Sequence, residues 1–260
     1  MTEGFWAKDR QVIALTGDDA VPFLQNLVTN DVSNVPQGGC AYTALLSPKG
    51  KYLFDFFVVR TEAGFLLDAK ADRAAALAQR LNMYRLRAAL DIKVSDLQVV
   101  QGFGEPPREA AIDPRREDLG WRAWVADPET FLGSMPRLDP QRWEEKRIAS
   151  TVPETGAELL PDDAFILEMG FDRLNGVDFK KGCYIGQEVT ARMKHKTELR
   201  KGLITVRVDG DPPACGTPIL SDGKPAGTLF STANGLGLAH LRYDRMDGEL
   251  VSGDASIHSL

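Results

Sequence analysis

The final stretch of the chain, residues 202–260, constrains the fold most strongly, because short apolar segments alternate there with glycine-containing turns. It holds nine glycines, two of them in the pairs Asp222-Gly223 and Asn234-Gly235. Such Asx–Gly pairs favour the left-handed conformations of tight hairpin turns. Short strands at this regular spacing are typical of small closed sheets. The pattern predicts a small β-barrel at about 202–260, with strands at Leu203–Val208, Thr217–Leu220, Gly227–Phe230 and Gly237–Leu241.

Residues 1–201 mix strand and helix patterns, which predicts an α+β fold. Apolar residues from Ala20 to Val28 recur at helical spacing, with Pro22 in the first turn. Two apolar runs on either side of the turn Ser47–Lys51 predict a hairpin. Further strands are predicted at Gln11–Leu15, Gly64–Leu67 and Trp121–Val125, and further helices over 71–87 and from Asp139 to about Ala149.

Charge and cysteine content exclude several classes of protein. Lys and Arg number 31 and Asp and Glu 37, so the net charge of −6 argues against a general nucleic-acid coat. Cys40, Cys183 and Cys215 are widely spaced, without a CxxC pair or zinc-site spacing, which predicts free thiols and no metal site. The sequence shows neither a signal peptide nor a long apolar stretch, so we expect a cytoplasmic protein without membrane contact.

The segment Asn175–Lys194 carries the strongest signal for chemistry. A helix is predicted from Tyr184 onward, because apolar residues recur at helical spacing there. Cys183 would then lie at the helix N-terminus, where free N–H groups and the neighbouring lysines stabilise a thiolate. The same placement also fits a structural cysteine packed under the turn.

A basic island, defined as residues 180–201, surrounds this cysteine in the sequence. It contains seven Lys and Arg residues and two Glu residues, a net charge of +5 in a chain whose total is −6. Concentrated positive charge favours an anionic ligand, such as a carboxylate or a phosphate. A solvated surface loop and a docking surface for a partner protein or RNA are the alternatives.

Lys181-Gly182-Cys183-Tyr184-Ile185-Gly186-Gln187-Glu188 resembles the K-G-C-[FY]-x-G-Q-E signature of the YgfZ family. These folate-binding proteins are related to the T-protein, the aminomethyltransferase of the glycine cleavage system. The resemblance extends to Phe23–Val32, to the turn Ser47–Lys51 with the Asp55 that follows it, and to Leu167–Gly170. It implies a T-protein-like fold of two interleaved subdomains over residues 1–201, the second at about 45–140, followed by the barrel.

The same resemblance implies a function. It points to a tetrahydrofolate-binding protein in iron–sulfur cluster assembly or repair, with an indirect effect on tRNA modification. The implied partners are iron–sulfur proteins or their assembly machinery, without direct nucleic-acid binding. Cys183 would be the reactive group, and the implied folate-binding residues are Glu168, Asp55, Lys181, Gly182, Gln187 and Arg192.

Two carboxylates of this set have an alternative interpretation. Glu168 suits the pterin edge, because a carboxylate accepts two parallel N–H bonds, but a glutamate on a helix surface fits the same sequence. Asp55 lies between Phe54 and Phe56 on a predicted strand. Alternation allows the solvent face for Asp55, whereas the resemblance favours a pocket.

A folate-dependent aminomethyltransferase is the alternative function. T-proteins carry a paired Asp-Asp after the hairpin turn, whereas this chain has Phe54-Asp55. One carboxylate of the pair is therefore missing, and a cysteine signature that T-proteins lack is present. These two departures predict a folate-binding assembly factor without aminomethyl transfer.

Overall fold

The structure is a computed structural model that describes residues 1–196 and 198–260. Within these residues the chain forms fifteen β-strands and five α-helices. The strands are β1 (Glu3–Trp6), β2 (Arg10–Thr16), β3 (Cys40–Leu46), β4 (Tyr52–Thr61), β5 (Gly64–Lys70), β6 (Asp91–Val94), β7 (Gln98–Phe103), β8 (Ala110–Ile112), β9 (Trp121–Val125), β10 (Lys201–Asp209), β11 (Thr217–Ser221), β12 (Lys224–Ala233), β13 (Leu236–Arg242), β14 (Leu250–Ser252) and β15 (Ala255–Ser259). The helices are α1 (Ala20–Gln25), α2 (Ala71–Arg85), α3 (Pro128–Leu132), α4 (Pro140–Ala149) and α5 (Gln187–Lys196).

A five-stranded sheet with the order β3-β4-β5-β2-β6 forms the centre of the first part of the chain. Every residue of β4 from Tyr52 to Val59 is buried, which explains why this run is almost continuously apolar instead of alternating. The helices α1 and α2 pack on the sheet through Leu24, Leu77 and Leu81. The predicted α+β fold, the β3–β4 hairpin and the helix beginning at residue 71 are confirmed.

A second, antiparallel sheet has the strand order β1-β7-β9-β8. Its core is built on Trp121 of β9, which packs with Val100 and Leu132. The indole lies so close to β7 that a Cβ on Gly102 would be 2.2 Å from it, so glycine is required at this position. The predicted strand Trp121–Val125 is confirmed.

The C-terminal residues close into a six-stranded barrel with the order β10-β13-β12-β11-β14-β15. Its core is apolar and includes Val206, Leu229 and Ile257. Asp222 and Asn234 have φ angles of 47° and 49°, the left-handed conformation expected for the first residue of an Asx–Gly turn. The predicted barrel is confirmed, although β14 and β15 were not among its predicted strands because they are short and partly polar.

A buried ion pair joins α4 to the barrel. Arg147 and Glu158 are each 1% exposed, and their side chains meet at 3.1 Å. The second oxygen of Glu158 accepts the backbone N–H of Ser231 on β12, also at 3.1 Å. This carboxylate therefore links a helix, a connecting segment and a barrel strand.

The chain divides into two compact units. The first comprises Met1–Pro48, Leu53–Pro140 and Asp172–Gln187, and the second comprises Lys49–Tyr52, Gln141–Phe171 and Glu188–Leu260. Each unit is assembled from separate stretches of the sequence. The sequence-based division of residues 1–201 into two subdomains, the second at about 45–140, stays a prediction.

Two helix ends differ from those predicted. α1 ends at Gln25, before the predicted Val28. The chain turns there, and the N–H of Thr29 donates to the carbonyl of Ala44 on β3 instead of continuing the helix. α5 begins at Gln187, three residues after the predicted Tyr184. Within the described ranges, the helices are too short or too polar to cross a membrane.

Candidate functional site: a held cysteine segment and a buried carboxylate

Lys181 of the signature is buried in the first unit. Its residue is 9% exposed, and its ammonium donates to the backbone carbonyls of Gln25, Val28 and Asn30 at 2.7–2.8 Å. An ammonium has three N–H donors, so all of them are used. In this arrangement the ammonium holds the chain that follows α1, and the expected contact of Lys181 with folate stays a prediction.

Burial is the main influence on the charge of Lys181. It lowers the pKa of the ammonium from 10.5 to about 8, while the nearby carboxylates of Asp31 and Asp178 oppose the change. The group therefore remains mostly charged at neutral pH. Its ring contact with Tyr184, 5.5 Å from the ring centroid, adds a weak cation–π interaction.

The residues before Lys181 are held by the turn that follows α1. Thr29 donates its hydroxyl to the carbonyl of Gly176 at 2.7 Å, and its own carbonyl accepts the N–H of Asp178. The Asn30 amide donates to the carbonyl of Asn175, also at 2.7 Å. We call residues 25–31 the clamp and residues 175–184 the thiol segment. The two similarities noted in the sequence, at 23–32 and 181–188, thus meet in one structure.

Cys183 is exposed, as is Gly182 before it, whereas Lys181 and Tyr184 on either side are buried. The alternative of a buried structural cysteine is therefore wrong. The predicted position at a helix N-terminus is also wrong, because α5 begins four residues later. The positive end of α5 therefore does not begin at this thiol.

The surroundings of the other two cysteines raise the pKa of their thiols. Burial raises the pKa of the Cys40 thiol well above its ordinary value, and the neighbouring Asp113 adds to the effect. Partial burial and the charge of Glu158 raise the pKa of Cys215, although its residue is exposed. Both thiols are thereby kept protonated near neutral pH, which makes them poor nucleophiles.

Asp55 lies on β4 within the first unit and is 8% exposed. It accepts a hydrogen bond from the Tyr42 hydroxyl at 2.9 Å. Its neighbour Phe54 belongs to the apolar core, with the guanidinium of Arg73 5.0 Å from its ring centroid. Asp55 therefore faces the interior, which excludes the solvent-face alternative, while its contact with folate stays a prediction.

Glu168 lies in the second unit and lines a cleft of about 490 Å³ together with Met193, Leu199 and Arg200. The nitrogens Lys201 Nζ and His240 Nε2 lie 3.3 and 3.2 Å from its Oε2 atom. Although His240 is this close, its Nε2 lacks a properly aligned hydrogen-bond partner among the described residues.

The charge state of Glu168 follows from these neighbours. Burial opposes its ionisation, but His240 and Lys201 outweigh that effect and hold the pKa of the carboxyl below its ordinary value. Its side chain is 10% exposed, so the alternative of a solvated helix-surface glutamate is wrong. An ionised carboxylate at the wall of a cleft can accept N–H donors from a ligand.

Two further residues of the predicted folate set mark the start and the middle of α5. Gln187 is half-buried and is the first helical residue, whereas Arg192 is exposed. Gly182 is open to solvent, since a Cβ placed on it would meet no atom within 4 Å. Glu168 and Arg192 belong to the second unit, and the rest of the set to the first.

A buried charge network in the first unit was not predicted from the sequence. Asp68 on β5 accepts bonds from Arg10 at 2.7 Å and from Arg122 at 3.3 Å. Asp113 accepts one bond from Arg122 at 3.1 Å and two from Arg115, whose Nε and one Nη atom donate to its two oxygens. Arg10 and Asp68 lie 58 residues apart in the sequence, and Asp68 lies 54 residues from Arg122, so no local pattern indicated that these side chains meet. Within the described ranges, no three His, Cys, Asp or Glu side chains are grouped as a metal site.

Two family models match the chain at its ends. The GCVT N-terminal domain matches residues 9–101, and the CAF17 C-terminal β-barrel domain matches residues 200–259. The structure also resembles the glycine cleavage system aminomethyltransferase T from Bartonella henselae, with a TM-score of 0.77, covering 100% of this chain and 85% of that one. Their sequences are 16% identical, so this likeness concerns the fold alone. The class is thus an aminomethyltransferase-like fold that ends in a CAF17-type barrel.

Curated relatives narrow the class to a family. The mitochondrial iron–sulfur cluster assembly factor IBA57 of Mus musculus is 32% identical over 278 residues, which cover 93% of this chain and 78% of the relative. The human protein is 30% identical with the same coverage, and the homologue from Pyricularia oryzae is 28% identical over 97% of this chain and 75% of its own. The chain belongs to the family of the iron–sulfur cluster assembly factor IBA57.

The relatives correct one expectation. All three are named as mitochondrial proteins. Our expectation of a cytoplasmic location, which rested on the N-terminal sequence and the free cysteines, is therefore wrong. Free thiols indicate a reducing environment, and such an environment is not restricted to the cytoplasm.

Proposed function

We propose that this protein is an iron–sulfur cluster assembly or repair factor that binds tetrahydrofolate and uses Cys183 as its reactive group. The observation that carries the proposal is the presentation of Cys183, whose exposed thiol lies with exposed Gly182 between the buried residues Lys181 and Tyr184. The names of the relatives support the assembly role. The similarity of residues 181–188 to the YgfZ signature supports folate binding and an indirect effect on tRNA modification.

The chemistry of the cargo agrees with an exposed thiol. Iron–sulfur clusters are held by cysteine thiolates, commonly four for each cluster. Cys183 supplies one such ligand, so the remaining ligands would come from a partner in the assembly machinery. An exposed position is required for a thiol that shares its cargo with another protein.

The folate part of the proposal rests on Glu168. Its carboxylate is ionised, nine-tenths buried and on the wall of a cleft. A carboxylate has two oxygens with about four acceptor sites, so Glu168 can accept from a ligand as well as interact with Lys201. The N–H groups of an aminopyrimidinone edge are the donors that such a carboxylate binds best.

Complementation tests the assembly role. The gene is deleted, and the activities of iron–sulfur enzymes are measured with the wild type, with Cys183→Ser and with Cys215→Ser restored. Cys215 is the matched control, since it is also exposed but lies outside the signature. We expect the wild type and Cys215→Ser to restore activity and Cys183→Ser to fail. Full restoration by Cys183→Ser would refute the reactive role.

Aminomethyl transfer is the second candidate, because the fold matches an aminomethyltransferase over the whole chain. The local chemistry does not favour it. Phe54 is part of the core, and Asp55 is hydrogen-bonded to Tyr42. A single carboxylate in this arrangement lacks the paired acid of the T-proteins, so we place transfer second.

A further inference from the structure

We propose that Lys181 is a positioning residue for Cys183, and that the clamp, residues 25–31, fixes where this thiol is presented. The proposal rests on the proposed role of Cys183 and adds the element that holds it. Three sets of contacts within the first unit hold the thiol segment in place.

The first set consists of the hydrogen bonds made by the Lys181 ammonium. The last carbonyls of a helix have no partner within the helix and need donors from elsewhere. α1 ends at Gln25, and the ammonium bonds the carbonyls of Gln25, Val28 and Asn30. Three acceptors facing three donors fix the position of the nitrogen in all directions, which one hydrogen bond does not achieve.

The second set holds the thiol segment on its N-terminal side. Thr29 and Asn30 bond the carbonyls of Gly176 and Asn175. Asn175 has a φ of 52°, and its own amide donates to the carbonyl of Pro114 at 3.1 Å. Hydrogen bonds therefore fix the thiol segment at Asn175 and Gly176, before Lys181.

The third set holds the segment on its C-terminal side. Tyr184 is 8% exposed, and Ile185 packs against the core of the five-stranded sheet. Gly182 and Cys183 are thus a two-residue exposed loop between fixed ends. A loop this short has little freedom, so the position of the thiol follows from the positions of Lys181 and Tyr184.

A structural role alone does not account for the charge. A buried ammonium is costly to desolvate, and an apolar side chain of similar length often stabilises a fold as well or better. An apolar side chain could not donate hydrogen bonds to these carbonyls, whereas the lysine ammonium binds all three of them. We infer that precise placement of Cys183 is what this charge provides.

The test compares Lys181→Met with Lys180→Met, which removes an exposed lysine next to it. Hydrogen exchange is measured in the folded protein at the amides of Asp178, Lys180 and Gln187, which are hydrogen-bonded. We expect Lys181→Met to speed exchange there by about tenfold, the factor for 1.4 kcal/mol, while the barrel strands exchange as in the wild type. The same variant should lose support of iron–sulfur enzymes, and Lys180→Met should change neither readout.

The outcomes separate the two proposals. If Lys181→Met exchanges faster locally yet supports iron–sulfur enzymes fully, Lys181 does not position a working thiol. Unchanged exchange would overturn the clamp itself. If Cys183→Ser supports the enzymes fully, the proposed function fails, while the exchange result still decides whether the clamp exists. If Lys181→Met does not fold, Lys181→Gln replaces it, because a glutamine amide keeps two N–H donors. In this variant we expect faster exchange at the same amides than in the wild type, and weaker support of iron–sulfur enzymes. Wild-type values for either measurement would refute the proposal.

Discussion

Glu168 shows how two neighbours decide the role of a single residue. Its carboxyl is nine-tenths buried, yet Lys201 and His240 keep it ionised. Sequence alone left a surface glutamate open as an alternative, because a buried and a solvated carboxylate give the same local pattern. Burial beside a cleft is what makes this residue a candidate anchor for a ligand.

Replacing Glu168 with alanine should weaken the binding of tetrahydrofolate. A hydrogen bond to a charged group contributes about 1.5–3 kcal/mol, so the dissociation constant should rise by roughly 10- to 150-fold. Isothermal titration calorimetry measures it directly. Glu249→Ala, at an exposed position of the same unit and outside the signature, is the control and should bind folate normally. Equal affinities of wild type and Glu168→Ala would remove Glu168 as the anchor.

Lys181 should make stability depend on pH. Burial lowers the pKa of its ammonium in the folded state to about 8, against an ordinary value of 10.5. Between these values the unfolded chain holds the proton more tightly, so the free energy of unfolding of the wild type rises with pH. Relative to Lys181→Met, the gain should be at most about 1.4 kcal/mol per pH unit. Urea unfolding from pH 8 to 10 measures it, with Lys180→Met as the variant that should track the wild type.

At the scale of elements, buried charges join strands that are distant in the sequence. Asp113 precedes β9, and Arg122 on β9 bonds both to it and to Asp68 on β5. Arg122 also stacks on Phe57 of β4, 3.7 Å from the ring centroid. The five-stranded and four-stranded sheets of the first unit are therefore connected by ion pairs as well as by apolar packing.

Asp113→Asn should destabilise the first unit strongly. The substitution keeps the shape but leaves the guanidiniums of Arg115 and Arg122 short of one buried negative charge, which typically costs about 3–5 kcal/mol. Asp118→Asn removes the partner of Arg116 in an exposed pair and should cost no more than about 1 kcal/mol. Chemical denaturation of the two variants provides the comparison. If both variants lost a similarly small amount of unfolding free energy, the buried charge network would contribute little to stability.

At the scale of the whole molecule, the chain has the fold of an aminomethyltransferase. The family models cover both ends of the chain, and the likeness to aminomethyltransferase T extends over all of it. Phe54 nevertheless lies in the core, where T-proteins are expected to carry an acid. A shared fold by itself does not establish a shared activity, which has to be argued from the site.

The purified protein should transfer aminomethyl groups to tetrahydrofolate no faster than background. A positioned acid or base contributes about 10²–10⁴-fold to such a step, and half of the pair is absent. The assay follows formation of methylenetetrahydrofolate, with a glycine cleavage T-protein as the positive control. Transfer at a rate near that of the control would make the transferase the leading function. Phe54→Asp is a poor test, because it places an acid inside the apolar core.

Local chemistry was enough to predict much of the architecture from the sequence. The Asx–Gly turns of the barrel, the β3–β4 hairpin and the helix that begins at Ala71 depend on neighbouring residues, so the pattern of those residues determines them. The signature around Cys183 was also visible, because it is continuous. Helix ends were predicted less well, since the onset of α5 depends on how Tyr184 and Ile185 pack.

Only the tertiary structure decided what the charged residues do. Lys181 lies 151–156 residues from the three carbonyls that it bonds, and no local pattern reports a pairing over that distance. The sequence placed Lys181 in a basic island. The fold instead buries Lys181 and exposes Cys183, two residues further along the chain. The sequence by itself determined the barrel turns, the β3–β4 hairpin and the helix that begins at Ala71, and it marked where Cys183 lies along the chain. Which charges are buried, and against what, was decided by the fold, because desolvation depends on neighbours that are distant in the sequence.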